Sequence, residues 1–441
     1  MIRIAAPRVL ACLCAATAAC LGLPVAALAS TATVTARPVR AYVPAGTEIQ
    51  GTPSPAGAPA LKPGQYQDSL RAEDPKHYTI TLADGVTPYL AATVIRPHGV
   101  VTAAGQAADD YEAFNDYVEI GIGTASGTDC GSFKTGRTQD RSVGPSTAVV
   151  RPGRVGGQWT GMYSGPDESS CGRPGKYVVS VGRTQNSERI PNAELPVEIV
   201  FIAEPPLAED VTALPPQQPV ITSSLSPDIT AAAKAVSGGG SYGTAAELPK
   251  SGGYTDNIRP GETLYYRIRL GTGQRVGYTL RFHGQKSLDE SLSVFAYVAT
   301  PFRELADESN DVGGYSSSSD ETLTGQTAAP IGYRNRDSDA DAVQSLRLTG
   351  YYYLVVNMDN SRDPAEAEVP INIAVQVAGK ATDAPKYRKV DGTSNLDDLG
   401  LPGQESPGLS LRKVAYLAAG GLALTVALLV LLVPFLRRRQ T

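Results

Sequence analysis

The chain has 441 residues, with 39 Lys and Arg against 44 Asp and Glu, and a net charge of -5 whose two signs are interspersed. That balance supplies no basic stripe for a phosphate backbone and excludes a nucleic-acid partner. With the apolar ends and polar connections set aside, two blocks of about 140 to 150 residues remain, each large enough for a core of its own.

Met1 to Arg8 is short and basic, Val9 to Leu28 is apolar and alanine-rich, and Ala27-Leu28-Ala29 carries the small residues a signal peptidase requires. This predicts a signal peptide over residues 1–29 and a mature start at Ser30. Lipidation of Cys20 after Thr17-Ala18-Ala19 is the alternative, against which stands the missing Leu at the first of those positions. Residues 30–50 are expected to be extended, with a strand near Ala41-Tyr42-Val43.

From Gly64 the chain writes a pattern that it writes again 188 residues later. Tyr66-Gln67-Asp68-Ser69-Leu70 falls on Tyr254-Thr255-Asp256-Asn257-Ile258, then Tyr78-Thr79-Ile80-Thr81-Leu82 on Tyr266-Arg267-Ile268-Arg269-Leu270, and Gly85 on Gly273. The ends also correspond, Gly175-Lys176-Tyr177 with Gly350-Tyr351-Tyr352, and Leu195-Pro196-Val197 with Val369-Pro370-Ile371. One module is therefore present twice, over residues 51–204 and 238–379. The segments inside both alternate with a period of two and are bounded by Gly, Pro and Asp, which predicts short antiparallel strands. Arg267, Arg269 and Arg281 then fall on an outward, solvated face. The fold class expected is all-β: two tandem antiparallel β-sandwiches followed by one C-terminal transmembrane helix.

Residues 205–237 are rich in proline and predict an interdomain linker, with a helical turn over Ile229 to Val236. Residues 380–413 are polar and without period, which predicts a stalk. Val414 to Leu436 is 23 residues without a charge, enough to cross a hydrocarbon core of about 30 Å. Arg437-Arg438-Arg439 follows at once, and the basic cluster predicts a short cytoplasmic tail over 437–441. The expected topology is single-pass type I in the cell membrane, with both modules outside.

Cys12, Cys14 and Cys20 fall in the signal segment, so the expected mature chain keeps only Cys130 and Cys171. An even pair in an exported protein predicts one disulfide, and two ligands cannot close a zinc site.

The order Tyr-x-Asp-x-Ile, Tyr-Tyr-x-Ile-x-Leu, Gly-x-Gly-Gln and a late Gly-x-Tyr strand resembles the bacterial pre-peptidase C-terminal domain, a jelly-roll-like β-sandwich. Here it is carried by Tyr254, Asp256, Ile258, Tyr265, Tyr266, Leu270, Gly273, Gln274, Gly350, Tyr352 and Tyr353, and less fully by Tyr66, Asp68, Leu70, Tyr78, Leu82, Gly85, Gly175 and Tyr177. The pairing is similar to that of actinobacterial type I membrane surface proteins, some of which add a von Willebrand A module. The resemblance implies a fold more firmly than an activity, since in that family the domain accompanies proteases and cleaves nothing itself. Each Tyr is expected to bury its ring and send its hydroxyl to a nearby turn, and Asp68 and Asp256 to accept turn N–H groups. A tyrosine face that stacks on sugars or grips a peptide is the alternative.

Gly239-Gly240-Ser241-Tyr242-Gly243 matches a Gly-x-Ser-x-Gly elbow, yet no strand-to-helix context surrounds it, and His77, His98 and His283 share no spacing. Asp337, Asp339 and Asp341 alternate, and Asp307-Glu308-Ser309-Asn310-Asp311 adds a second acidic loop; hard oxygen ligands of this kind suit calcium. A solvated acidic loop is the alternative, and no other cofactor is indicated. The function expected is a non-catalytic, membrane-anchored surface protein that binds or scaffolds an envelope protein or glycan. An accessory subunit of an exported protease or secretion complex comes second, and a surface hydrolase third.

Overall fold

The computed structural model describes residues 40, 42–94, 116–135, 145–155, 171–185, 192, 194–211, 214–285, 291–306, 311–316, 318–358, 368–394 and 396, all in one compact unit that begins at Pro38. The expected signal peptide 1–29, span 414–436 and tail 437–441 lie outside them. Among the described residues no helix is long and apolar enough to cross a membrane.

The first half contains β1 (Thr47–Glu48), β2 (Gly64–Leu70), β3 (Lys76–Leu82), β4 (Thr87–Val94), β5 (Asp116–Thr124), β6 (Asp129–Thr135), β7 (Ser146–Val150), β8 (Gly175–Gln185) and β9 (Leu195–Glu204). The second contains β10 (Ala233–Ala235), β11 (Ala246–Glu247), β12 (Gly252–Ile258), β13 (Thr263–Leu270), β14 (Arg275–Phe282), β15 (Ser291–Ala299), β16 (Asp311–Ser316), β17 (Glu321–Gln326), β18 (Gly350–Met358) and β19 (Val369–Ala378). Among the described residues a short helix, α1 (Asp341–Ser345), follows a 3-10 turn at Tyr333–Asp337.

Strand order repeats between the halves. The first half has sheets β1-β2-β9-β4-β7 and β3-β8-β5-β6; the second has β10-β12-β19-β14-β17 and β11-β13-β18-β15-β16. Apart from the short parallel strands β1, β10 and β11 at the edges, all neighbours are antiparallel. Each half closes its own core. Leu70, Tyr78, Ile80, Val118 and Val197 meet in the first, and Ile258, Tyr266, Ile268, Val294 and Ile371 in the second. Both halves are antiparallel β-sandwiches. Gly85 and Gly273, paired by the repeat, turn the chain at φ of 77° and 81°, a left-handed conformation open to glycine at no steric cost.

Three local expectations differ from the structure. The strand expected at Ala41-Tyr42-Val43 is not formed at Tyr42 and Val43, the ladder beginning only at β1; Tyr42 is instead held by Thr93 O and by packing against Tyr242 and Tyr265, and Ala45 by Glu198, and Ala41 lies outside the described residues. The helical turn expected over Ile229 to Val236 is strand β10, whose pairing along the edge of β12 overrides the alanine preference for helix. The stretch from Lys380 does not stand free as a stalk as far as it is described. Leu207 bridges Tyr387, Arg388 N–H donates to Pro206 O, and Ser394 N–H donates to Ala203 O, so this segment returns to the first sandwich.

Candidate functional site at the junction of the sandwiches

The two halves share a duplicated buried carboxylate. Asp68 accepts the Tyr78 hydroxyl at 2.7 Å and Gly51 N–H at 2.8 Å; Asp256 accepts the Tyr266 hydroxyl at 2.8 Å and Gly238 N–H at 2.7 Å. Four tyrosines marked by the repeat each donate to the carbonyl four residues back: Tyr66 to Lys62, Tyr177 to Arg173, Tyr254 to Lys250 and Tyr352 to Leu348. These side chains hold strands to turns, as expected of buried rings with one polar end. Burial pushes the Tyr78 and Tyr266 hydroxyls well above the ordinary value, and the neighbouring carboxylates push in the same direction.

The chemistry unexplained by the repeat lies between the sandwiches. Strands normally bury one face, but β4 buries all eight residues. Leu90, Ala92 and Val94 enter the core of the first sandwich, while Tyr89 and Ala91 face the other way and join Val200, Ile202, Phe302, Leu348 and Leu396. The Tyr89 and Phe302 rings lie 4.7 Å apart across the junction. On the second sandwich Tyr265, Tyr353 and Val355 likewise face outward and pack with Tyr242 and Tyr42. The outward face of β4 and β9 is therefore covered by Phe302 and Leu348 of the second half, and that of β13 and β18 by Tyr242 and Tyr42.

Charged groups are buried in this seam with partners, as their desolvation requires. Glu204 receives Arg336 at 2.7 and 3.2 Å, the Tyr89 hydroxyl at 2.8 Å and the Tyr387 hydroxyl at 3.2 Å. Arg151 pairs with Glu304 at 2.9 Å, and burial pushes the Glu304 carboxyl up against the opposing pull of Arg151. Arg303 has a left-handed backbone at φ 71° and sets its guanidinium 4.1 Å from the Tyr353 ring and 4.6 Å from the Tyr242 ring. Such a conformation costs an arginine about 1–3 kcal/mol and persists where the surroundings impose it.

Glu198 is the centre of the seam. Its Oε1 accepts Ala45 N–H at 2.9 Å, Gly243 N–H at 3.1 Å and Gln65 Nε2 at 3.0 Å. Burial pushes its carboxyl up, opposed by the Ala45 N–H, the Arg303 charge, the Ser241 hydroxyl and the Gly243 N–H. A Cβ on Gly243 would stand 2.2 Å from Gln65 Nε2 and 2.7 Å from Glu198 Oε1, so the glycine permits the approach. The Gly239–Gly243 run is thus a docking loop. Ser241 is fully buried; it shares hydrogen bonds with Thr244 at 3.0 to 3.3 Å and its hydroxyl also faces Glu198.

Cys130 and Cys171 form a disulfide with their Cα atoms 5.5 Å apart, bracing β6 to the turn before β8 across the intervening β5. Asp337 pairs with Arg334 at 3.3 Å, and Asp337, Asp339 and Asp341 are all exposed. No group of three His, Cys, Asp or Glu side chains gathers for a metal among the described residues. Most of the second acidic loop, residues 307–310, and His98 lie outside them. His77 meets Thr52 O at 3.2 Å and His283 meets Asp320 at 3.2 Å, so these two serve separate contacts. Arg267 faces outward as expected but is buried there, 4.6 Å from the Tyr351 ring and bonded to Glu247.

Neither a protein-family model nor a curated protein sequence matches the chain. Solved structures similar to it include PliG of Aeromonas hydrophila, a periplasmic inhibitor of g-type lysozyme, at 16% identity over 33% of this chain and 100% of that one, with a TM-score of 0.17. Infectious bursal disease virus, Gx strain, follows at 11% identity over 75% and 76%, TM-score 0.24. The CBM22 tandem of Paenibacillus barcinonensis Xyn10C has 8% identity over 71% and 86%, TM-score 0.19. At these scores the likenesses carry no argument about function.

Proposed function

We propose that the chain is a non-catalytic, membrane-anchored surface protein whose paired sandwiches form one rigid body for binding or scaffolding in a bacterial envelope. The observation that carries this reading is the use made of the nucleophile-like motif: Gly239 to Gly243 closes over Glu198, and Ser241 is buried within that closure against Thr244 and Glu198. With the short parallel edge strands β1, β10 and β11 set aside, the strand order of each half, four strands facing four, is that of a jelly roll and fits the likeness to pre-peptidase C-terminal domains. The leader and span expected from the sequence would place the domains at a membrane, where a scaffold acts through local concentration.

Complementation of a deletion strain tests the proposal. Ser241→Ala should leave function intact, and removal of residues 414–436 should abolish it by releasing the domains. Full function from the released fragment, or loss of function in a stably folded Ser241→Ala variant, overturns the reading.

A further inference from the structure

The duplicated carboxylates differ in where their positive charge comes from. Asp68 takes Lys76 Nζ at 2.5 Å, and Lys76 is the first residue of β3 in the same sandwich. The repeat places Leu264 at the position of Lys76 in the second sandwich, where it is fully buried in the core. Asp256 receives its guanidinium from 216 residues upstream: Arg40 reaches it with Nη2 at 2.7 Å and Nη1 at 3.1 Å. Arg40 also donates its backbone N–H to Glu262 Oε1 at 2.5 Å, and the other oxygen of Glu262 accepts Arg259 N–H at 3.1 Å. Glu262 is fully buried and Asp256 nearly so. The second module thus has the geometry of a cleft for a forked cation with a free N–H beside it, and the ligand comes from outside the module.

The segment that carries Arg40 is held mainly by side chains: Tyr42 packs against the cluster of Tyr242 and Tyr265, and Ile49 packs on the first core. Tyr42 donates to Thr93 O at 3.0 Å and Ala45 N–H to Glu198, while Val43 is 55% exposed and the ladder of β1 is two exposed residues long. The segment precedes the first sandwich yet docks on the second, so it laces the two together.

We propose that the pocket of Asp256 and Glu262 is a receptor for an arginine on an extended segment, with residues 40–46 of the same chain as an exchangeable ligand held in cis. The fork geometry selects arginine over lysine, which offers only a point charge. The loop from Pro53 to Gly57 is exposed, and a protease site inserted there in the full chain would sever the segment covalently while leaving it docked. The probe is a fluorescent peptide of residues 38–50.

Cut protein should take up the peptide and uncut protein should not. Arg40→Ala and Arg40→Lys peptides should bind about tenfold more weakly or worse, the range expected when a charge-assisted pair is lost. Asp256→Asn in the protein should lose uptake as well; since that variant risks misfolding, the peptide variants on the unaltered protein decide the matter. The proposal is overturned if cut protein takes up no peptide, or if it takes up the Arg40→Ala peptide as well as the native one.

Discussion

Replacing Glu198 separates two things that its position combines, a hydrogen-bond acceptor and a buried charge. Glu198→Ala removes the acceptor: Ala45 N–H loses its bond, Gln65 keeps only Ala45 O at 2.8 Å, and the loop at Gly243 loses its anchor. An orphaned buried donor costs about 1–3 kcal/mol, and the missing methylene and carboxyl leave space at a packed seam, so a total of about 3 kcal/mol is expected. For a unit of this size that corresponds to a fall of about 4 °C in melting temperature. Glu198→Gln keeps the accepting oxygen and should lie within about 1 kcal/mol of the native protein at neutral pH. The two variants also differ in pH dependence. A carboxyl whose folded value is raised binds its proton more tightly folded than unfolded, so its stabilisation is complete below the usual carboxylate value near 4.3 and falls as pH rises through the raised value. The gap between native and Gln variants should therefore move in favour of Gln as pH rises. Calorimetry of both between pH 4 and 8 reads this directly. An Ala variant that melts within about 1 °C of the native protein, or a Gln variant as unstable as Ala, refutes the assignment of Glu198 as the acceptor that closes the seam.

Replacing Cys130 and Cys171 together by Ala reopens a loop of 41 residues and should cost about 4 kcal/mol on the chain-entropy account, read from denaturant unfolding. An unchanged midpoint would refute a stabilising role for the bond. Gly243→Ala should cost about 1–3 kcal/mol through its clash with Gln65 and Glu198, whereas Gly314→Ala, which meets nothing within 4 Å, should be nearly neutral. Paired thermal melts check this, and equal shifts in the two variants would count against the docking loop.

Much of each sandwich was legible because the repeat reports on the residues that each module satisfies internally. Asp68 with Tyr78, and Asp256 with Tyr266, are the same contact written twice, and the tyrosines that reach four residues back belong to the same local code. What joins the modules was not legible in that way, since a docking face has no counterpart to align. Arg267 shows the limit: strand alternation places it outward, but nothing in the alternation says that Tyr351 and Glu247 cover it there.

A different signal for the junction was present in the chain. Antiparallel strands with one wet face alternate, whereas strands covered on both faces read as continuous apolar runs. Ile199-Val200-Phe201-Ile202-Ala203 breaks the alternation of β9, and its odd members Ile199, Phe201 and Ala203 enter the sandwich core while Val200 and Ile202 enter the seam. Tyr352-Tyr353-Leu354-Val355-Val356 does the same in β18, with Tyr353 and Val355 turned to the seam. Both runs lie in strands inside their sheets, so each module carries one doubly covered sheet, whose second face is closed by residues outside its own sandwich core. The Gly239–Gly243 run then takes its meaning from position. A loop that must bring a backbone N–H within 3.1 Å of Glu198 in the first sandwich has no space for a side chain at Gly243, and that requirement explains the glycine there.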